Sequence, residues 1–262
     1  MWFHLEPYDR ETPEGHQKNV QNGARSAVAV SDCITGPYQY LYSLHSNAGY
    51  WPVNVKEFHK KNSYPQVRTK YSQDLPEQHT DSINILGRDM MRGQQARDMT
   101  LFVDDDGKAY HIYSSEENST LHIAELNDDY TGHTGKYIRL FVNRYMEAPA
   151  MFKKDDKYYL MMSGCTGWQP NEARSAVADS IFGEWKELGN PCVGNESEIT
   201  FRSQSTYIFP VHGKKNQFIY MGDRWKPNNA IDGRYIWLPI EFEDDRLVIR
   251  WRSKWTLNDL NE

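Results

Sequence analysis

The sequence has few cysteines and no long apolar run, and each of these absences excludes a kind of protein or site. Its three cysteines, Cys33, Cys165 and Cys192, include no pair with Cys-x-x-Cys spacing, which argues against a zinc site. No stretch approaches the roughly 18 apolar residues of a membrane-spanning helix, so no membrane partner is expected. Residues 1–4 lack a charged region followed by an apolar run, so no signal peptide is visible.

Basic residues are also too few for a nucleic-acid-binding surface. The chain has 30 Lys+Arg against 36 Asp+Glu, a formal net charge of -6, so no nucleic-acid partner is expected. Aromatic side chains, in contrast, make up 13% of the residues, with 8 Trp and 17 Tyr. This composition favours β-sheets, and any exposed rings would suit stacking on sugars.

One type of hairpin recurs three times along the chain. Each copy is an apolar segment, a polar turn and a second apolar segment, which predicts two antiparallel strands. The three pairs of segments are 100–103 with 108–113, 150–152 with 158–162, and 206–209 with 217–221. The recurrence indicates a fold built from repeated β units.

A second repeat follows the hairpins and predicts a third strand in each unit. Residues 24–29 and 173–178 share the sequence Ala-Arg-Ser-Ala-Val-Ala, 149 residues apart, and 121–126 and 234–239 take the same place in other units. Short fourth strands are predicted at 38–42, 137–141, 185–188 and 247–251. Units of four strands over roughly 50 to 60 residues are typical of propeller blades, and the repeated third strand favours a propeller over a β-sandwich.

These units predict an all-β, five-bladed β-propeller that is truncated at its N-terminus. Three complete units start near residues 98, 147 and 204. The first unit offers only residues 2–4, 24–31 and 38–42, and therefore lacks its innermost strand. We expect about four blades, the first incomplete, in a single domain that spans residues 1–262.

The segment between the first and second units does not fit the blade pattern. Residues 46–97 begin with small and aromatic residues and continue through a long polar stretch. So long a connection inside a compact domain is usually functional or disordered. We therefore expect an irregular insertion at about 46–97, with its middle, 60–82, exposed.

The residue just before each innermost strand is informative, because these strands converge on the axis of a propeller. These residues are Asp98, Glu147 and Gln204, spaced by 49 and 57 positions. Three polar groups in one register of consecutive blades should point into one cavity. Two carboxyl groups there suit glycosidic bond cleavage, since one can protonate the leaving oxygen while the other raises its pKa.

Glu147 is the better candidate for the acid, because its longer side chain reaches further, and Asp98 for the modulator. Each could instead be incidental, with Asp98 in a salt bridge to Arg97 and Glu147 ending a strand. The shared register argues against both being incidental. In an inverting enzyme the acid and the base lie about 6.5–9.5 Å apart, which leaves room for water.

These segments resemble glycoside hydrolase family 43. Residues 97–110 are similar to the family's blade motif with the pKa-modulating Asp, and residues 147–152 to the motif with its general acid. Residues 163–171, 201–207 and 221–225 are similar to the branch that contains exo-β-1,3-galactanases. The resemblance covers nearly the whole chain except the insertion.

The resemblance implies exo-acting, inverting hydrolysis of β-1,3-galactan, the backbone of type II arabinogalactans. It implies Glu147 as general acid, Asp98 as its modulator, and Gln204 at the place of a base. A neutral amide is a poor base, so Gln204 either positions water or acts as a tautomer. The side chains that would line the sugar site are Trp168, Tyr207, Asp223, Arg224, Trp225 and Trp237.

Other functions stay open at this point. α-L-Arabinofuranosidase and β-xylosidase are the commoner activities of the family. A non-catalytic carbohydrate-binding propeller is a further alternative, because family members begin with a blade, and with a further acidic residue, that this chain does not contain. Activity of the truncated chain is therefore in question.

Cofactors, partners and compartment are expectations from the same resemblance. No cofactor or metal ligand is predicted, although some relatives hold an ion on the axis, so a structural calcium there stays open. Residues 104–107 favour a hairpin turn over a calcium loop. We expect the chain to be a monomer that binds a poly- or oligosaccharide. We expect its full-length relative to be secreted or periplasmic.

Overall fold

The fold, taken from a computed structural model, is described for residues 1–6, 23–61 and 84–260. The chain forms two compact units, Met1–Tyr145 and Met146–Glu262. Each of the four sheets formed by the described residues lies within one unit. The predicted all-β class is confirmed, with sheets of three to five strands. The number of blades, closure into a ring, the truncation and the single domain stay predictions.

The first unit contains two antiparallel sheets whose strands pair in chain order. The three-stranded sheet consists of β1 (Trp2–Leu5), β2 (Arg25–Val30) and β3 (Gln39–Leu44). The four-stranded sheet consists of β4 (Met99–Val103), β5 (Ala109–Ser115), β6 (Thr120–Leu126) and β7 (His133–Leu140). Trp2 and Val28 of the first sheet pack against Ala109 and Leu126 of the second, so the two sheets of this unit share a core.

Described residues of the segment between β3 and β4 contact the four-stranded sheet. Asn54 exchanges hydrogen bonds with the backbone of Arg139 in β7, donating to its carbonyl at 2.8 Å and accepting from its N–H at 3.2 Å. The described part of this segment contains a 3₁₀ turn, Glu57–Lys60, and a short helix, α1 (Ile85–Asp89). Most of the predicted exposed middle, 60–82, lies outside the described residues.

The second unit also contains two sheets. The four-stranded sheet consists of β8 (Met146–Lys154), β9 (Lys157–Gly164), β10 (Arg174–Ala178) and β11 (Lys186–Gly189). The five-stranded sheet consists of β12 (Cys192–Val193), β13 (Gln204–Pro210), β14 (Phe218–Arg224), β15 (Arg234–Glu243) and β16 (Arg246–Arg250), in the order β12-β16-β15-β14-β13. Three 3₁₀ turns connect or follow them: Ser197–Arg202, Ala230–Asp232 and Leu257–Asp259.

Aromatic side chains from both sheets form the core of the second unit. The rings of Phe152 in β8 and Phe218 in β14 lie 4.6 Å apart, and Tyr159 stacks on Phe152 at 5.2 Å. Ile208 and Tyr220 are buried in the same cluster. This shared core brings β8 and β13, an edge strand of each sheet, next to one another.

The predicted strands are confirmed in the described residues. The three hairpins are β4–β5, β8–β9 and β13–β14, and the repeated Ala-Arg-Ser-Ala-Val-Ala forms β2 and β10. Strand β12, which pairs in parallel with β16, was not predicted, because two residues leave no periodic pattern. No helix in the described ranges is long and apolar enough to cross a membrane.

Candidate active site

A break in the ladder between β8 and β9 sets the local conformation at Glu147. Glu147 pairs with Ser163, but the register shifts between Glu147 and Ala150, and Ala148 has a left-handed φ of 53°. A bulge of this kind redirects side chains from the ordinary alternation of a strand. Ser205 of β13 donates a hydrogen bond through Oγ to the carbonyl oxygen of Ala148, so the neighbouring sheet supports the bulge.

Gln204, the first residue of β13, contacts Glu147 directly. Its Nε2 donates to Oε1 of Glu147 at 3.1 Å and to Oγ of Ser163 at 2.8 Å. Its Oε1 accepts from the indole N–H of Trp225 at 3.1 Å. An indole N–H can only donate, so these contacts determine which way the amide faces. Two of the three residues predicted from the register therefore meet in one cluster.

The backbone just before Gln204 is strained. Thr200, Phe201 and Arg202 have left-handed φ values of 51°, 54° and 62°, which cost of order 1–3 kcal/mol each for residues other than glycine. Arg224 counters this strain, because its guanidinium donates twice to the carbonyl of Phe201, at 3.2 and 2.8 Å. The same guanidinium lies 4.9 Å from the centre of the Trp251 ring. Arg224 thus fixes the start of β13.

A buried hydroxyl pair lies beneath this segment. Ser203 Oγ donates to the carbonyl of Thr200 at 2.7 Å and contacts the Tyr220 hydroxyl at 2.9 Å, so the tyrosine is the donor of the second bond. Burial raises the pKa of Tyr220, which keeps its hydroxyl protonated for that role. A Cβ at Gly222 would lie 2.4 Å from the Tyr220 oxygen. Glycine is therefore required there.

The side-chain amide of Asn171 makes three of the hydrogen bonds that hold the loop after β9. Asn171 accepts from the backbone N–H of Gly164 at 2.7 Å, and donates to the Gly164 carbonyl at 2.8 Å and to Thr166 Oγ1 at 2.6 Å. Its own carbonyl accepts from Thr200 at 2.7 Å. The loop presents Trp168, 61% exposed, whose ring meets Trp225 edge-on at 5.3 Å.

Two adjoining cavities open beside Gln204. The larger, about 550 Å³, is lined by Ser163, Gln204, Trp168, Trp225 and, among others, Arg202. The smaller, about 290 Å³, adds Asp223 and Tyr235. Both cavities are also lined by Arg224, Lys226 and Arg234. Glu147 does not line the larger cavity itself, but it contacts Gln204, which does. A few polar groups among aromatic walls are typical of small-molecule sites.

The predicted sugar-site residues divide into two sets. Trp168, Arg224 and Trp225 line both cavities, and Asp223 lines the smaller one. The Oδ1 atom of Asp223 is buried and has no hydrogen-bond partner among the described residues. Tyr207 and Trp237 line neither cavity. They lie on either side of Met221 across β13, β14 and β15.

Asp98 belongs to the first unit, where it precedes β4. The backbone N–H of Ser114 in β5 donates to the Asp98 carbonyl at 2.9 Å, so the chain before β4 is already in register with its neighbour. The predicted approach of its carboxyl to Glu147 stays a prediction.

The comparisons with known proteins decide the family. The family model described as glycosyl hydrolases family 43 matches residues 50–246, about three quarters of the chain. This chain belongs to glycosyl hydrolases family 43. The chain spans 72% of one solved family member but only 41% of the curated relative that it matches.

Three proteins of known structure or curated function are similar to this family-43 chain. A family-43 β-1,3-galactosidase solved with galactodeoxynojirimycin is 48% identical, with a TM-score of 0.83 over 98% of this chain and 72% of that one. An exo-β-1,3-galactanase from Clostridium thermocellum is 32% identical, with a TM-score of 0.63 over 86% of this chain and 42% of that one. A curated β-D-galactofuranosidase from Aspergillus niger is 24% identical over 52% of this chain and 41% of its own length.

The sequence analysis did not assign three residues to this family-43 site: Ser163, Lys226 and Arg234. Ser163 lies directly across the hairpin from Glu147, so the pairing register was the signal that could have found it. Lys226 and Arg234 line both cavities and carry no sequence signal of their own. In the part of the chain that the structure describes, no three His, Cys, Asp or Glu side chains gather as a metal site, and no residue is assigned to a calcium ion.

Proposed function

We propose that this chain is an exo-acting, inverting hydrolase of β-1,3-galactosyl linkages, with Glu147 as the general acid. The observation that carries the proposal is the contact of Glu147 with Gln204 at 3.1 Å, beside a cavity walled by Trp168 and Trp225. The 48% identity to a β-1,3-galactosidase supports the choice of linkage.

In the proposed reaction, protonated Glu147 gives its proton to the glycosidic oxygen as the bond from that oxygen to the anomeric carbon breaks. A water oxygen forms a new bond to the opposite face of the anomeric carbon, and its proton passes to a base. The water attacks opposite the leaving group, so the β-linkage yields α-galactose first. Asp98 serves as the modulator that favours the protonated acid.

The geometry bears on the role of Gln204. An acid and a base that flank a sugar in an inverting enzyme lie about 6.5–9.5 Å apart, whereas Gln204 Nε2 lies 3.1 Å from Glu147. An amide also has little basicity. Both facts favour Gln204 as a group that orients the acid and the attacking water over Gln204 as the base.

Aromatic rings and charged groups supply the sugar contacts in this proposal. Trp168 and Trp225 are 61% and 47% exposed and meet edge-on, so they offer ring faces to the apolar side of a galactose. The unpartnered Oδ1 of Asp223 is a ready acceptor for a sugar hydroxyl. An unsatisfied buried acceptor costs about 1–3 kcal/mol, and a ligand hydroxyl would remove that cost.

The test is release of galactose from β-1,3-galactan oligosaccharides, with proton NMR to identify the first anomer. We expect α-galactose from the wild type and a loss of at least about a thousandfold in kcat for Glu147→Gln. Glu198→Gln is the matched control, because Glu198 is an exposed glutamate of the same unit outside both cavities. Equal rates for Glu147→Gln and the wild type would refute Glu147 as the acid.

A substrate panel separates the proposal from its alternatives. Faster turnover of aryl α-L-arabinofuranosides or β-xylosides than of galactan oligosaccharides contradicts the proposed linkage. Calorimetric binding of galactan oligosaccharides without turnover contradicts the proposed hydrolysis and indicates a binding protein.

A further inference from the structure

We propose that Ser163 is a positioning residue that holds the amide of Gln204 against Glu147. The inference rests on the proposed function of that site. Ser163 lies near the end of β9, directly opposite Glu147 in the pairing of β8 with β9, and is 4% exposed. Ser163 lines the larger cavity, and its Oγ accepts a hydrogen bond from Gln204 Nε2 at 2.8 Å.

The contacts of the amide allow one orientation. The two N–H bonds of Gln204 Nε2 reach Glu147 and Ser163, and Oε1 accepts from Trp225. Turning the amide by 180° would place Oε1 against the carboxylate and Nε2 against the indole N–H. The contact with the indole would then be repulsive, because two donors would face each other, and so would the contact with Glu147 whenever its carboxyl is ionised. The hydrogen bond to Ser163 is a second contact of Nε2, and it restricts rotation of the Gln204 side chain.

The serine hydroxyl takes no part in the strand ladder. The backbone of Ser163 pairs with Glu147, whereas its side chain reaches Gln204 on the neighbouring sheet. Loss of the hydroxyl leaves the fold of the hairpin unchanged and leaves one amide N–H without its acceptor. The amide then loses its fixed position, and with it the bond to Glu147.

Another serine of the same sheet provides the control. Ser175 of β10 is 2% exposed, like Ser163, and its hydroxyl donates at 2.8 Å to the carbonyl of Gly189 in β11. Ser175 therefore loses one hydrogen bond in the same unit when changed to alanine, but touches neither cavity. It reports the generic effect of removing a buried hydroxyl.

The experiment measures kcat and KM of Ser163→Ala, Ser163→Thr and Ser175→Ala on galactan oligosaccharides. We expect Ser163→Ala to lower kcat about tenfold with KM within about twofold, and Ser163→Thr, which keeps the hydroxyl, to recover most of the loss. Ser175→Ala should keep the wild-type kcat. A wild-type kcat in Ser163→Ala, or equal losses in both alanine variants, overturns the proposal.

A crystallographic arm separates failure of this inference from failure of the proposed function. In Ser163→Ala we expect Gln204 to move until Nε2 is more than about 3.5 Å from Glu147, and in Ser163→Thr to stay. This readout holds even if the wild type releases no galactose. An unmoved Gln204 in Ser163→Ala overturns the positioning role, whatever the activity.

Discussion

Gln204 donates through Nε2 to Oε1 of Glu147 across 3.1 Å, a contact between the first residue of β13 and a residue of β8. The two belong to successive sheets of one unit. A neutral amide and a carboxyl group can share a hydrogen bond whether the acid is protonated or ionised. If a carboxyl group replaces the Gln204 amide, the ionisation of Glu147 becomes coupled to that of the new acid.

Gln204→Glu is therefore expected to move the alkaline limb of the pH–rate profile to higher pH. Two carboxyl groups in hydrogen-bond contact cannot both ionise readily, so the pair keeps one proton to higher pH. The profile of kcat against pH checks this. Glu198→Gln serves again as the control, and a limb that moves to lower pH contradicts the expectation.

Trp225→Phe tests the donor to the other end of the same amide. The change keeps an aromatic wall but removes the N–H that binds Gln204 Oε1 at 3.1 Å. We expect kcat to fall about fivefold. Trp185→Phe is the matched control, because its indole N–H donates to the Ile181 carbonyl outside both cavities. Equal losses in the two variants argue against a role for the Trp225 N–H.

Arg224→Met is expected to destabilise the second unit. The change removes both hydrogen bonds to the Phe201 carbonyl and leaves the left-handed segment before β13 without its support. Hydrogen bonds to charged groups contribute about 1.5–3 kcal/mol, so the free energy of unfolding should fall by about 2 kcal/mol in urea titrations. Arg246→Met, a change at an exposed arginine of β16, should alter it by less than about 0.5 kcal/mol.

Acid should weaken the first unit through its buried histidines. His111 Nδ1 and His133 Nε2 lie 3.1 Å apart, and burial lowers the pKa of His133 from 6.5 to about 4. Burial, and then repulsion from His133, lowers the pKa of His111 well below 6.5. The unfolded chain therefore binds more protons below pH 6.5, and the free energy of unfolding falls as the pH drops from 6.5 to 4.

The loss from His133 alone is at most about 3 kcal/mol. Urea unfolding at stepped pH should show a shallower slope between pH 6.5 and 4 for His133→Gln than for the wild type. His212→Gln, at an exposed turn, should keep the wild-type slope. An unchanged slope in His133→Gln contradicts the assignment to this pair.

Glu116 affects the stability of the first unit at lower pH than the two histidines do. Burial alone would raise its pKa, but Arg139 and His122 lower it from 4.5 to about 2. Its contribution to stability is therefore present above pH 4.5 and is lost as the pH falls towards 2. Glu116→Gln should flatten the stability curve below pH 4.5 in urea titrations at stepped pH.

The sequence predicted the strands well because the hairpins and third strands repeat with local pairing. It also predicted from their shared register that Glu147 and Gln204 would converge. Both lie within strands, Glu147 in β8 and Gln204 at the start of β13, and not just before them as predicted. The place of Ser163 beside Glu147 was not predicted, because it depends on a pairing register with a bulge in it. A second bulge, between Ser205 and Tyr207, breaks the alternation that residue types alone would suggest for Tyr207. The convergence of Asp98 with Glu147 and Gln204 stays a prediction.

The Asn171 amide that holds both ends of the loop after β9 has an evolutionary consequence. Because the contacts that shape this loop involve Gly164, Thr166 and Asn171, the side chain at position 168 can change without disturbing the frame. If the proposed function holds, sugar preference can therefore diverge among descendants of this chain by substitution at the loop's tip, while Glu147 and Gln204 are inherited intact.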